Sequence, residues 1–243
     1  MNEPLFLGID TSTRWRSIGL INEQGLLASI SVHTTQGHGK NLLSRIETLF
    51  SELNRSLDAL RCVGIVNGPG SFTALRVGVA TAQGLGLGLG IPVVPVGTHE
   101  AIVCGLPEVR EQTALILVPA RKGEVFAQLF VDKEGIGWQA KGVVNCIPVE
   151  ELPEMVDKPG LLAGPALHLY GVELEALYEG RVPLAPIPGR HARGETVAEI
   201  ARERLEKGTA RDYPADKIEI LYLQSHGALT IQERERIKQN AVR

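Results

Sequence analysis

The sequence predicts an α/β fold made of two unequal units, each a run of strands followed by helices. Two local patterns and one long-range pattern predict it. Residues 63–66 form a β-branched run, then Gly68-Pro69-Gly70-Ser71 makes a sharp turn, and residues 72–89 follow with helical apolar spacing. At the start of the chain an apolar run over residues 5–9 ends in Asp10-Thr11-Ser12-Thr13. Residues 17–21 then alternate, Asn22-Glu23-Gln24-Gly25 turns, and residues 26–32 alternate again, which is a three-stranded meander. The same order of strands then helices recurs, shortened, over residues 108–188, so the expected units are 1–107 and 108–188.

The remaining elements follow in order. Residues 39–54 place Leu42, Leu43, Ile46, Leu49, Phe50 and Leu53 at helical spacing, an amphipathic helix. The helix over 72–89 ends in alternating glycines, Gly84, Gly86, Gly88 and Gly90. Each glycine costs a helix about 1 kcal/mol relative to alanine. Such a row is tolerable where small residues admit another backbone, either the sheet of the same unit or a helix of a partner. Residues 92–96 read as a strand and 98–104 as a short helix. The second unit opens with a strand at 114–118 and a turn at 120–123. A hairpin follows over 124–131 and 136–146. Then come a short helix at 149–156, a strand at 161–163, an irregular helical stretch at 164–177 and an extended stretch at 182–187. Residues 196–205 form a clear amphipathic helix, residues 218–223 read as extended, and 224–243 is a polar tail.

Composition bounds the function. The chain has 243 residues and a net charge of −3, with acidic and basic residues intermixed. A protein that grips RNA unaided shows a basic face, and none is visible. The charged stretches at 202–207 and 233–236 alternate in sign and read as solvated helix faces. No uncharged apolar run is long enough to span a bilayer, and the first residues lack a basic region and a cleavage site, so a cytoplasmic, non-membrane protein is expected. Cys62, Cys104 and Cys146 are far apart and odd in number, and are expected to be buried free thiols.

Two turns carry candidate chemistry. Ser71 sits where a helix N-cap would accept a backbone N–H, and a helix start behind a glycine turn suits an anion such as phosphate. The bland alternative is a plain cap between two core elements. Asp10 can hold magnesium through water while Thr11 and Ser12 meet a phosphate; equally, Asp10 can serve a local Asx turn. Arg76, one turn into the helix, can pair with a phosphate or with Glu47.

The two turns together resemble the bacterial TsaB (YeaZ) family. The residues that carry the resemblance are Gly8-Ile9-Asp10-Thr11-Ser12-Thr13 with Ser17, then residues 38–43. Next come Asn67-Gly68-Pro69-Gly70-Ser71-Phe72-Thr73, Leu75-Arg76-Val77-Gly78, Ala82-Gln83-Gly84-Leu85 and Gly88-Leu89-Gly90-Ile91-Pro92-Val93. Order and spacing match over the first hundred residues, with weaker echoes at 120–125 and 220–224. Ala74 departs from the glycine common there. The resemblance implies the actin-like ATPase superfold (RNase H-like), with two βββαβα-type subdomains, the second reduced, and a late helix packed back on the first, here within 190–223.

The parts that are missing shape the expected function. An actin-like kinase needs a second phosphate turn, normally Asp-x-Gly, and a glycine-pair adenine clamp. Here the corresponding stretch reads Val118-Pro119-Ala120-Arg121, and residues 160–164 substitute poorly for the clamp. The catalytic relatives of TsaD/Kae1 type carry a His-His-Met-Glu-Gly-His metal motif where this chain has Gly97-Thr98-His99-Glu100-Ala101-Ile102. One histidine cannot hold a catalytic metal. His33 and His38 are weakly spaced for a metal, and His168, His191 and His226 are scattered. No catalytic or metal residue is therefore assigned. The resemblance implies an accessory subunit for N6-threonylcarbamoyladenosine synthesis at A37 of ANN-decoding tRNAs. It implies pairing with the transferase TsaD, with TsaE joining, tRNA engaged indirectly, and self-pairing in isolation. The interface candidates are His38, Leu42, Leu43, Ile46, Gly84 and Gly88. The phosphate candidates are Asp10, Thr11, Ser12, Gly70, Ser71 and Arg76, with no intrinsic cofactor and, at most, ATP or ADP with magnesium at a subunit junction. A small-molecule kinase or ATPase, and a homodimeric scaffold without a nucleotide role, are the alternatives.

Overall fold

A computed structural model describes residues 3–34, 41–107, 112–133 and 136–223. The first sheet contains β1 (Leu5–Asp10), β2 (Trp15–Asn22), β3 (Gly25–His33), β4 (Leu60–Gly68) and β5 (Val93–Gly97) in the order β3-β2-β1-β4-β5. The β1–β2–β3 part is an antiparallel meander, and β1, β4 and β5 run parallel. The second sheet contains β6 (Thr113–Pro119), β7 (Glu124–Lys133), β8 (Gly137–Pro148) and β9 (Leu161–Ala163) in the order β8-β7-β6-β9. Again three strands form a meander and the fourth runs parallel to the first. The second sheet thus repeats the order of the first without its fifth strand. That is the actin-like superfold with a reduced second half.

Every residue of β1 is buried, so both faces of the strand are covered. Leu5, Leu7 and Ile9 point into a core shared with α1 (Leu42–Glu52) and α2 (Phe72–Leu89). Phe6 points the other way, into a smaller core with Ala198 and Ala201 of α6 (Gly194–Lys207). A third core fills the second unit. It joins β6, β7 and β9 to α3 (Thr98–Cys104) and α5 (Leu167–Leu177), and reaches Val66, Val96 and Val197 of the first. The short α4 (Leu152–Met155) completes the helices.

The seating of α6 is the tightest contact. A Cβ on Gly8 would lie 2.0 Å from the Gly194 carbonyl oxygen, one on Gly19 2.0 Å from the Glu195 nitrogen, and one on Gly64 2.7 Å from the Ala201 Cβ. Three adjacent strands therefore present bare backbone where the helix lands. The start of α6 is fixed by the Gly194 N–H, which donates to Ser17 Oγ at 2.8 Å, and by Ser29 Oγ, which donates to Glu195 Oε2 at 2.8 Å.

Several local expectations change. Helix α1 starts at Leu42, later than residue 39. Ser71 is the α2 N-cap, but its hydroxyl makes no capping bond; its carbonyl accepts from the Leu75 N–H at 2.8 Å. Residues 182–187 form a single bridge, Leu162 to Leu184, and no strand. Residues 218–223 join no sheet, although the Leu221 N–H donates to the Asn67 carbonyl at 2.8 Å. Cys104 is exposed, against the expectation that all three thiols are buried; all three are free. The polar tail at 224–243 lies outside the described residues.

The glycines divide by environment. Gly8→Ala should lower the urea-unfolding free energy by about 3 kcal/mol through overpacking. Gly84, with nothing within 4 Å of an added Cβ, should behave oppositely. There alanine should raise stability by about 0.5–1 kcal/mol.

Candidate functional site

The carboxyl ends of β1, β4, β6 and β9 converge on one cavity of about 670 Å³. Its first-unit wall includes Ser12, Thr13, Arg14, Trp15, Gly70 and Ser71, and its second-unit wall Val118, Pro119, Ala120, Arg121, Pro165 and His168. Crevices at the carboxyl ends of parallel strands are where α/β sheets take ligands.

Two turns of the first unit are laced together. The Ser71 N–H donates to the Ser12 carbonyl at 2.7 Å, and a Cβ on Gly70 would lie 2.3 Å from that same oxygen. Thr11 Oγ1 donates to the Ala74 carbonyl at 2.8 Å, so its side chain faces α2 and not the cavity. Gly78 has no Cβ because Thr11 Oγ1 would sit 2.2 Å from it. Thr98 Oγ1 donates to the Pro69 carbonyl at 2.7 Å and ties α3 to the same turn. The second unit echoes this arrangement. Gly68 ends β4 ahead of Pro69 and Gly164-Pro165 follows β9, with both glycines at positive φ, 125° and 106°.

Asp10 is fully buried. Its Oδ1 accepts the Ser12 N–H at 2.8 Å, which is the Asx-turn geometry. Its Oδ2, like Ser12 Oγ, is buried without a hydrogen-bond partner. Burial pushes the Asp10 carboxyl up to about 6, with the Ser12 N–H bond pulling the other way. Arg76 leaves the site: its guanidinium lies 3.9 Å from the centre of the Phe72 ring, and pairs with neither Glu47 nor the cavity. Of the six phosphate candidates, Ser12, Gly70 and Ser71 line the cavity, Asp10 and Thr11 stand behind it, and Arg76 points elsewhere. On the opposite wall, Arg121 is bidentate to Glu124, at 3.0 Å on both oxygens. Among the described residues that line the cavity there is no carboxylate. This donor set fits a magnesium-bound nucleotide incompletely.

His99 is 2% exposed and its Nε2 donates to the Phe126 carbonyl at 2.9 Å. Burial holds it down to about 4. It is a core histidine held through Nε2, with Nδ1 buried and unpartnered. Among the described residues no three His, Cys, Asp or Glu side chains are grouped to hold a metal. Sequence spacing left His168 and His191 scattered, yet the fold gathers them with His33 around Trp15. Trp15 stacks on His191 at 4.3 Å and 11°, lies 5.1 Å from His33, and donates through Nε1 to His168 Nε2 at 3.2 Å. Only the cross-strand register of Trp15 with His33 could have been read from the meander.

The interface candidates also divide. Leu42 is 6% exposed and Ile46 is fully buried, both in the protein's own core, so neither can meet a partner. Leu43 is 48% exposed, and Gly84 and Gly88 have nothing within 4 Å of an added Cβ. Leu87, not singled out from the sequence, is 64% exposed on α2. Gly86 faces inward against Val93 and Ala215. His38 lies outside the described residues.

The raised Asp10 pKa has a definite sign. Its contribution to stability is whole below the unfolded value of 3.8 and is lost as pH rises through about 6. Asp10→Asn should therefore be more stable than the parent above pH 6, by on the order of 2–3 kcal/mol, with the gap closing below it. Urea unfolding of both proteins on either side of that pH checks it.

A family model described as the TsaD tRNA N6-adenosine threonylcarbamoyltransferase matches residues 29–143. The tRNA threonylcarbamoyladenosine biosynthesis protein TsaB of Bacillus subtilis is 26% identical over 162 residues, 65% of this chain and 69% of that protein. TsaB of Escherichia coli is 32% identical over 132 residues, 54% of this chain and 57% of that protein, so the match spans little more than half of that relative. The structure of YeaZ from Pseudomonas aeruginosa superposes with a TM-score of 0.72 at 24% identity, covering 90% of this chain and all of that one. No helix among the described residues is long and apolar enough to cross a membrane. With the two laced turns, the repeated sheet order and several TsaB relatives in agreement, the chain is similar to the TsaB (YeaZ) proteins and shares the fold of YeaZ.

Proposed function

We propose that this chain takes part in N6-threonylcarbamoyladenosine synthesis as a non-catalytic partner of a TsaD-type transferase acting at A37 of ANN-decoding tRNAs. The observation that carries the reading is the outer side of α1 and α2. Leu43 and Leu87 stand exposed there, and Gly84 and Gly88 leave the helix backbone open to close approach. A helix of the partner can lie against such a strip with little steric cost. TsaE joins this pair in the cytoplasm, and tRNA is engaged through the transferase. The mixed charge of the chain fits a subunit that relies on its partner for the nucleic acid. A nucleotide with magnesium would need donors from a second subunit to complete Ser12, Gly70 and Ser71, and no catalytic step is assigned to it.

A second reading is favoured by the two orphaned oxygens, Asp10 Oδ2 and Ser12 Oγ, which would suit an ATPase. Hydrolysis by the purified chain that disappears in Asp10→Ala would support it. A homodimeric scaffold would use the same α1–α2 strip as the transferase pair.

Size-exclusion chromatography with light scattering, on the chain alone and mixed with the TsaD-type transferase of the same organism, separates these readings. The expected result is a one-to-one complex that restores tRNA modification in a reconstituted reaction. A homodimer that persists unmixed would overturn the proposal. Leu43→Glu and Leu87→Glu should abolish the complex while leaving the thermal midpoint near that of the parent. Leu42→Glu should instead unfold the protein, since burying an unpaired charge costs several kcal/mol, on the order of 3 or more.

A further inference from the structure

The cluster around Trp15 joins three parts of the fold and plays no role in the function proposed above. Trp15 opens β2, His33 closes β3, His168 lies in the first turn of α5, and His191 precedes α6. An indole N–H can only donate, so His168 Nε2 must accept, and the ring must be neutral with its proton on Nδ1. A second proton on His168 would set two N–H groups against each other and break the bond. Trp15 and His168 both line the cavity, from opposite walls.

The groups that face His168 disfavour that second proton. From β3, the His33 ring is 5.9 Å away. From the segment before α6, Arg190 adds positive charge, and His191 packs on the far side of the cluster against Trp15. Arg14 and Arg121 line the same cavity. On α5 itself, Glu173 and Glu175 share a shallow groove with His168 and Arg190. Partial burial, then Arg190 and His33, hold the His168 pKa below the usual histidine value.

We propose that the Trp15–His168 hydrogen bond is a proton-operated latch between the first sheet and α5. It holds the cavity mouth while His168 is neutral and releases it when His168 takes up a proton. The folded protein lowers this pKa, so the unfolded chain binds the proton more readily. The latch's contribution is whole above the ordinary histidine pKa and drains away as pH falls below it.

The test follows the indole N–H resonance of Trp15 in the full-length protein from roughly pH 8 to 5. Trp138→Phe assigns it, since the chain has only two tryptophans. The expected result is one transition below the ordinary histidine pKa, moving the resonance away from its hydrogen-bonded position, with increased acrylamide access to Trp15. In His168→Gln, whose amide oxygen accepts without titrating, both changes should vanish. In His33→Gln the transition should persist and move to higher pH. A resonance that does not titrate in the parent overturns the latch. So does a transition that survives in His168→Gln, or a titration without increased acrylamide access.

Discussion

The approach of α6 to the first sheet is the constraint on which the rest of the structure depends. Gly8, Gly19 and Gly64 lie side by side on β1, β2 and β4, and the helix backbone occupies the space their side chains would need. The helix is nearly two hundred residues from β1, so this seat closes a long loop late in the chain. Its return is rewarded only if all three strands are in register. A slip of one residue would put Leu7 or Ile9 where Gly8 must be. The Ser17–Gly194 and Ser29–Glu195 bonds fix the end of the helix that enters first.

With one face of the first sheet sealed by α6 and the other by α1 and α2, the strand ends are the place left for a ligand. The lacing there is internal. Ser12 carbonyl, Ser71 N–H, Thr11 hydroxyl and Ala74 carbonyl satisfy one another. Polar groups that a phosphate would otherwise recruit are therefore spent on holding the turns together. Asp10 shows the same trade. One oxygen closes an Asx turn and the other is buried unpartnered, which is why its carboxyl resists ionisation.

Much of this was legible in the sequence, for physical reasons. The apolar run of β1, the alternation over β2 and β3 and the Gly-Pro-Gly break before α2 are local, and these elements fall where the pattern put them; α2 matches it at both ends. The glycine row in α2 read correctly as a helix in spite of its propensity cost, because Gly86 packs inside and the others face out. What stayed hidden depended on tertiary contact. Leu42, Leu43 and Ile46 are alike in spacing, and only the direction of the core separates the buried pair from the exposed one. The strand glycines at 8, 19 and 64 marked a close backbone approach, but not which element would come. The gathering of His33, His168 and His191 joins residues 158 positions apart, and no local pattern records it.

The reduction of the second unit has a consequence for the cavity. β9 has three residues, and among the described residues no fifth strand lies beyond it. Among the described residues of the wall opposite Ser12 the one charged donor is Arg121, and it is held by Glu124 rather than offered to a ligand. Anything gripped between the halves would have to be gripped from the first unit, by turns already bonded to each other. Enlarging that grip requires α5 to move, because Pro165 and His168 at its start form the near edge of the opposite wall. Leu167 and Leu174 anchor α5 in the third core, and the Trp15–His168 bond, a single hydrogen bond to an exposed ring, is what ties its start across the cavity to the first sheet. Such a bond is worth little in stability. Its place at the mouth makes it a control on the cavity rather than a support of the fold.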